Sequence, residues 1–160
     1  DPKILQWRFV VDCPDARHIV LCENLNFLKT PRIARDNHIE LWYVGGNNIS
    51  NIDYIPDHKL TLPLYYSCDW DYDGLKIYER LQDRFARKSK SITLLYPSPI
   101  LRKSVDSPEH NSRWKHDQPF SGLIRSAYSQ EAISLIQDLI AQDEWVEEET
   151  CELIEMVKLT

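Results

Sequence analysis

The run Leu64-Tyr65-Tyr66-Ser67-Cys68-Asp69-Trp70-Asp71-Tyr72-Asp73-Gly74 decides how this chain is read. An apolar, strand-like stretch leads into aspartates at i, i+2 and i+4, after which the apolar period lengthens from strand to helix spacing. Strand alternation sets Asp69 and Asp71 on one side of the backbone, where two carboxylates can share a cation. Close and uncompensated, they would push one pKa sharply upward. A divalent metal removes that cost and is the simplest reason to keep such a cluster.

Working outward, Gly74 to Lys88 reads as an amphipathic helix. Leu75, Ile77, Tyr78, Leu81 and Phe85 share one face, and Lys76, Arg80, Arg84 and Arg87 form a basic stripe on another. Upstream, His18-Ile19-Val20-Leu21-Cys22 is a buried strand pattern ending in Glu23-Asn24, and Ile39 to Val44 is a second one ending in Gly45-Gly46. Ile4 to Val11 alternates loosely and suggests an edge strand, and Ser91 to Tyr96 forms another strand closed by Pro97. Leu25 to Leu28 is expected to begin a short helix that Pro31 terminates. Residues 98–128 read as loop or insertion. In 129–160, Ser129 caps a helix carrying Ala132, Leu135, Ile136, Leu139 and Ile140, and Glu144 to Leu159 is expected to form a second helix with Val146, Leu153, Ile154 and Val157 inward.

Strands alternating with helices imply an α/β domain: a Rossmann-like, mostly parallel sheet of about four strands, followed by two C-terminal helices. Ligands of such sheets sit at the carboxyl ends of strands, and Glu23, Asp69 and Asp71 all fall there.

Two familiar readings of the aspartate run fail on residue identity. An EF-hand loop starting at Asp69 needs Glu at its twelfth position, where Arg80 stands, and an apolar eighth, where Lys76 stands. A haloacid-dehalogenase-type phosphatase read from Asp71 wants a hydroxyl residue where Leu75 stands.

The ordered set of Glu23 at one strand end, Gly45-Gly46 after the next strand and Asp69-x-Asp71-x-Asp73-Gly74 after a later one resembles the Toprim domain of topoisomerases, bacterial primases and several nucleases. The resemblance spans about Arg17 to Pro97, the core of a single domain comprising 1–160. A narrower resemblance, to the JetD nuclease subunits of Wadjet plasmid defence with their topoisomerase VI A-like Toprim domain, rests on three features. These are Glu23-Asn24 followed by Phe27, Tyr65-Tyr66 before the aspartates, and the acidic Glu147-Glu148-Glu149 near the end. JetD-like chains usually carry Pro within the aspartate motif, where Tyr72 and Asp73 stand here.

The resemblance implies phosphodiester chemistry with Mg²⁺ or Mn²⁺. Asp69 and Asp71 would be metal ligands, and Glu23 a ligand or general acid/base. Asp73 would be a second-metal ligand, or alternatively the cap of the following helix. Glu147 and Glu149 would complete a metal site if their helix folds back, and Lys76, Arg80, Arg84 and Arg87 would follow a DNA backbone. A topoisomerase of the resembled family takes its catalytic tyrosine from a separate winged-helix domain, and none of the eight tyrosines here reads in that context. Hydrolysis needs only water and metal, so a DNA nuclease is the first expectation. A topoisomerase or primase Toprim domain and a degenerate binding module are the alternatives. The implied partners are DNA, an N-terminal DNA-binding region, a condensin-like complex and a second copy in a homodimer.

Composition bounds the rest. A chain of 160 residues beginning at Asp1 is read as one domain, expected to be the C-terminal fragment of a longer protein. No apolar run reaches membrane-span length. Cys13, Cys22, Cys68 and Cys151 show no C-x-x-C spacing, which argues against zinc-ribbon and redox roles and for a reduced, cytoplasmic protein. The histidines show no zinc spacing, and His110 and His116 read as loop residues. The net charge of −6 is concentrated in 129–160, where nine acids face the single base Lys158.

Overall fold

A computed structural model describes residues 9–45 and 49–160. Its centre is a five-stranded sheet in the order β1-β3-β2-β4-β5, built from β1 (Val10–Val11), β2 (His18–Cys22), β3 (Ile39–Tyr43), β4 (Leu64–Ser67) and β5 (Thr93–Leu94). All neighbouring pairs are parallel except β1 with β3, so the strand beyond the expected four is an antiparallel edge. The earlier part of the edge strand read at Ile4–Val11, and Gly46, lie outside the described residues. Ile19, Val20, Leu21 and Cys22 are fully buried, as a central parallel strand requires, and this is why β2 reads as an unbroken apolar run.

Helix α1 (Pro31–Asp36) follows a 3-10 turn at Phe27–Lys29. Pro31 therefore opens a helix instead of ending one. At the first helical position its missing N–H costs nothing and its fixed φ suits the turn. Helix α2 (Tyr72–Ala86) buries Leu75, Ile77, Tyr78, Leu81 and Phe85, the face read from the sequence, and Tyr78 stacks on Tyr66 of β4 at 6.3 Å. The expected strand at Ser91–Tyr96 shortens to the two residues of β5.

The C-terminal third departs most from expectation. Helix α3 (Gln130–Gln142) is capped by Ser129, whose Oγ accepts from the Ala132 N–H at 3.1 Å. Residues 144–159 do not form one helix. Asp143 takes a left-handed conformation (φ 53°) that ends α3, and the chain continues as strand β7 (Glu144–Val146), a 3-10 turn at Glu148–Thr150 and the short helix α4 (Leu153–Lys158). Strand β7 pairs antiparallel with β6 (Arg102–Ser104), drawn from the segment read as loop. The competing force is packing: β7 buries Trp145 and Val146, and the 98–128 segment supplies buried Val105, Trp114 and Leu123 as further core.

Candidate functional site

The sheet order fixes where a site can form. Strands β3 and β4 follow β2 in the chain yet lie on opposite sides of it, so the chain reverses direction across the sheet between β2 and β4. The crevice at the carboxyl ends of two such strands is where open α/β sheets bind ligands. Glu23 directly follows β2 and Asp69 lies just past β4, with Cys22 in register with Ser67. The Glu23 N–H donates to Ser67 O at 2.9 Å, and the Asp69 N–H donates to Glu23 Oε1 at 2.9 Å. Register alone therefore brings together two acids 46 residues apart.

The backbone then turns into α2. Asp71, in extended conformation, is the N-cap, and its Oδ1 accepts from the Gly74 N–H at 2.8 Å. The cap is thus Asp71 and not Asp73. Asp73 is exposed in the first turn, and its N–H donates to Ser112 Oγ at 3.0 Å. Gly74 closes the ring of acids. A Cβ there would stand 2.1 Å from Asp69 O, 2.9 Å from Glu23 Oε1 and 3.1 Å from Asp71 Oδ1. Gly45 likewise serves close packing, since a Cβ would lie 1.8 Å from Glu23 O. It supports the backbone under Glu23.

A further acid arrives from the far end of the chain. Trp70 and Val146 form a bridge, with the Trp70 N–H donating to Val146 O at 2.8 Å and the Val146 N–H donating back at 3.3 Å. The bridge delivers Glu148. Its N–H donates to Asp69 Oδ1 at 2.8 Å, and its Oε1 accepts from the Asn24 N–H at 2.9 Å. Glu148 is fully buried, and its Oε2 meets no hydrogen-bond donor among the described residues. Of the acids expected to fold back, Glu147 instead pairs with Lys103, and Glu149 is exposed. Glu149 and Glu147, with Asp69, Asn24, Asn26 and Lys29, line a cavity of about 250 Å³. The signal for Glu148 was the acidic triplet itself: the segment does fold back, with Glu147 and Glu149 at the cavity beside Asp69 and Glu148 behind it.

His110 was also read as an ordinary loop residue. It is 9% exposed, its ring lies on Trp145 at 3.7 Å and 14°, and its Nε2 stands 3.5 Å from Asp71 Oδ2. Burial, reinforced by Arg113, holds its pKa below the usual imidazole value.

The four acids disturb one another. Burial, then Asp69 and Asp71, push Glu23 up to about 9. Burial and then Asp69 push Asp71 up to about 8, and burial with Asp69 does the same to Glu148, to about 8. Asp69 is raised by burial against the opposing Glu148 N–H. Among the described residues no Lys or Arg forms an ion pair with any of the four. The contrast is Glu40, buried on β3 but satisfied by Lys59, the Trp42 indole N–H at 2.8 Å and the Cys13 N–H at 3.0 Å.

An all-oxygen, acidic donor set suits a hard divalent cation such as Mg²⁺ or Mn²⁺ in both charge and donor type. Among the described residues no three His, Cys, Asp or Glu side chains stand at coordination spacing. Glu23, Asp69 and Asp71 each accept a backbone N–H on one oxygen, the Asn24 side chain adds a hydrogen bond to Asp69, and a hard cation would need the remaining oxygens. The basic stripe is largely spent within the chain. Lys76 reaches Glu79 at 3.0 Å and Gly122 O at 3.1 Å, Arg84 reaches Asp53 at 2.8 Å and Arg87 reaches Asp83 at 2.8 Å, while Arg80 is exposed. Comparison with protein-family models, with curated proteins and with solved structures finds no match.

Proposed function

We propose that this domain hydrolyses phosphodiester bonds of DNA with a divalent cation, Mg²⁺ or Mn²⁺, in the manner of a Toprim nuclease. The observation that carries the reading is the convergence of Glu23, Asp69 and Asp71, backed by buried Glu148, at the crevice where the sheet order reverses. Buried and half-buried acids that raise one another's pKa, with no ion-paired Lys or Arg among the described residues, are most simply accounted for by a cation. A bound divalent ion supplies charge to polarise the phosphate and to stabilise the leaving oxygen. Asp69 and Asp71 are the residues to hold it.

The protein's own groups do the rest. The Glu148 N–H fixes the orientation of Asp69, and the Gly74 N–H fixes that of Asp71. Glu23 keeps Oε1 on the Asp69 N–H, and its raised pKa suits Oε2 to carry a proton to or from a reacting oxygen. Asp73, exposed at the start of α2, stands at the rim and not among the buried acids. The narrower reading is a nuclease subunit of the Wadjet type, working with a DNA-binding region and a condensin-like partner. A cation-independent binding module is the second reading, favoured by the absence of coordination spacing among the described acids.

The test pairs metal titration with plasmid nicking. Asp69→Asn with Asp71→Asn keeps the helix cap, since Asn caps as well as Asp. The wild-type chain is expected to bind Mn²⁺ by calorimetry and to nick supercoiled DNA, with both lost in the double variant while its near-UV circular dichroism is unchanged. Nicking that survives the double substitution would overturn the assignment.

A further inference from the structure

We infer that His110 is a nitrogen ligand of the cation held at Asp71, and that it biases the centre toward transition ions such as Mn²⁺ over Mg²⁺. The inference rests on the metal-dependent reading above and deepens it.

The imidazole is placed with care. Its ring lies on Trp145 at 3.7 Å, and the backbone that carries it is held by the Arg113 guanidinium on the His110 carbonyl oxygen and by the His110 backbone N–H donating to Ser107 O at 3.1 Å. Two residues on, Ser112 Oγ accepts from the Asp73 N–H, which locks the segment to the start of α2. Trp114 anchors it again by donating its indole N–H to Glu144 O at 2.8 Å, tying it to β7.

So supported, Nε2 is buried and has no hydrogen-bond partner among the described residues. It stands 3.5 Å from Asp71 Oδ2 without the alignment of a hydrogen bond. A buried polar atom left unmatched beside a carboxylate is costly, and a cation between the two would satisfy both. Two donor atoms at that separation are close to the spacing of adjacent ligands around one ion, whose bonds are roughly 2.1–2.2 Å long. An imidazole nitrogen adds little to Mg²⁺ binding, because that ion prefers oxygen, but it strengthens binding of first-row transition ions, Mn²⁺ the least of them and the later ones more. On its other side His110 lines a cavity of about 230 Å³ with Lys103, Ser107, Trp145 and Glu147.

The experiment titrates Mn²⁺ and Mg²⁺ separately into the full chain by calorimetry, for wild type, His110→Ala and His110→Phe. The Phe variant keeps a ring on Trp145 and guards against a merely structural loss. Both variants are expected to lose roughly tenfold or more in Mn²⁺ affinity while Mg²⁺ affinity changes less than about twofold. In the Mn²⁺-loaded wild type, electron spin-echo modulation should show one directly bound ¹⁴N, absent from both variants. Equal falls for the two ions, or no ¹⁴N coupling, would overturn the inference and leave the carboxylate centre standing. Failure of both ions to bind wild type would overturn both readings.

Discussion

Gly74 is the position where the acids leave least room for change. Its α-carbon faces Asp69 O, Glu23 Oε1 and Asp71 Oδ1, and the nearest of these is a backbone atom that cannot rotate aside. Gly74→Ala should therefore cost about 3 kcal/mol, the upper end of ordinary overpacking. It should also weaken Mn²⁺ binding, because relief comes only by spreading the acids. Urea unfolding with calorimetry checks both, and a variant as stable as wild type would contradict the contact geometry. Glycine at 74 was legible in the sequence as a turn between strand and helix; its packing against the acids was not. The same division holds across the site. Glu23, Asp69 and Asp71 were readable because each follows a short apolar run with turn signals beyond it, the pattern of a strand in a parallel sheet. Glu148 and His110 were not, because they reach the site across 79 and 39 residues through contacts that no local pattern encodes: Glu148 N–H to Asp69, and the Ser112 clasp on Asp73 beside His110.

Strand β7 is the element that joins the C-terminal third to the site. Helical spacing of Val146, Leu153, Ile154 and Val157 suggested a helix through this stretch, and the misreading has a physical origin. Left-handed Asp143 sets the chain on a new course, and pairing of Val146 with Arg102 and Trp70 outweighs the local preference. Two substitutions separate the element's stability from its reach. Ser129→Ala removes the cap of α3 and should cost about 1 kcal/mol without touching metal binding. Val146→Pro deletes the N–H that bonds Trp70 O, and the unmatched carbonyl should cost about 1–3 kcal/mol. It also loosens the hold on Glu148, so Mn²⁺ affinity should fall in this variant alone. If both variants bind Mn²⁺ as wild type does, the bridge does not organise the acids.

At the scale of the whole molecule, the acidic segment 129–160 and the 98–128 segment balance each other in part. Arg102 lies near Asp138 at 3.8 Å and Glu144 at 3.9 Å, Lys103 pairs with Glu147, and His116 with Asp143 at 2.6 Å. These pairs are largely exposed and contribute little each. The groups without such a partner are half-buried Glu23 and buried Asp71 and Glu148, raised to about 9, 8 and 8. In the unfolded chain such acids titrate near 4, so between roughly pH 4 and 9 the folded state holds more protons than the unfolded one. Stability of the metal-free protein must then fall as pH rises through that window, the reverse of a domain held by salt-bridged carboxylates. One group held protonated gives a slope of about 1.4 kcal/mol per pH unit while folded and unfolded forms differ by a full proton. A cation competes with those protons, so Mn²⁺ should raise the melting temperature little at pH 5 and most at pH 8. At a hundredfold excess over its Kd the gain at pH 8 should be about 2.7 kcal/mol. Melting curves at pH 5, 6.5 and 8, with and without Mn²⁺, decide the matter. Metal-free stability that climbs toward pH 8, or a metal effect indifferent to pH, would mean that the four acids do not share one charged site.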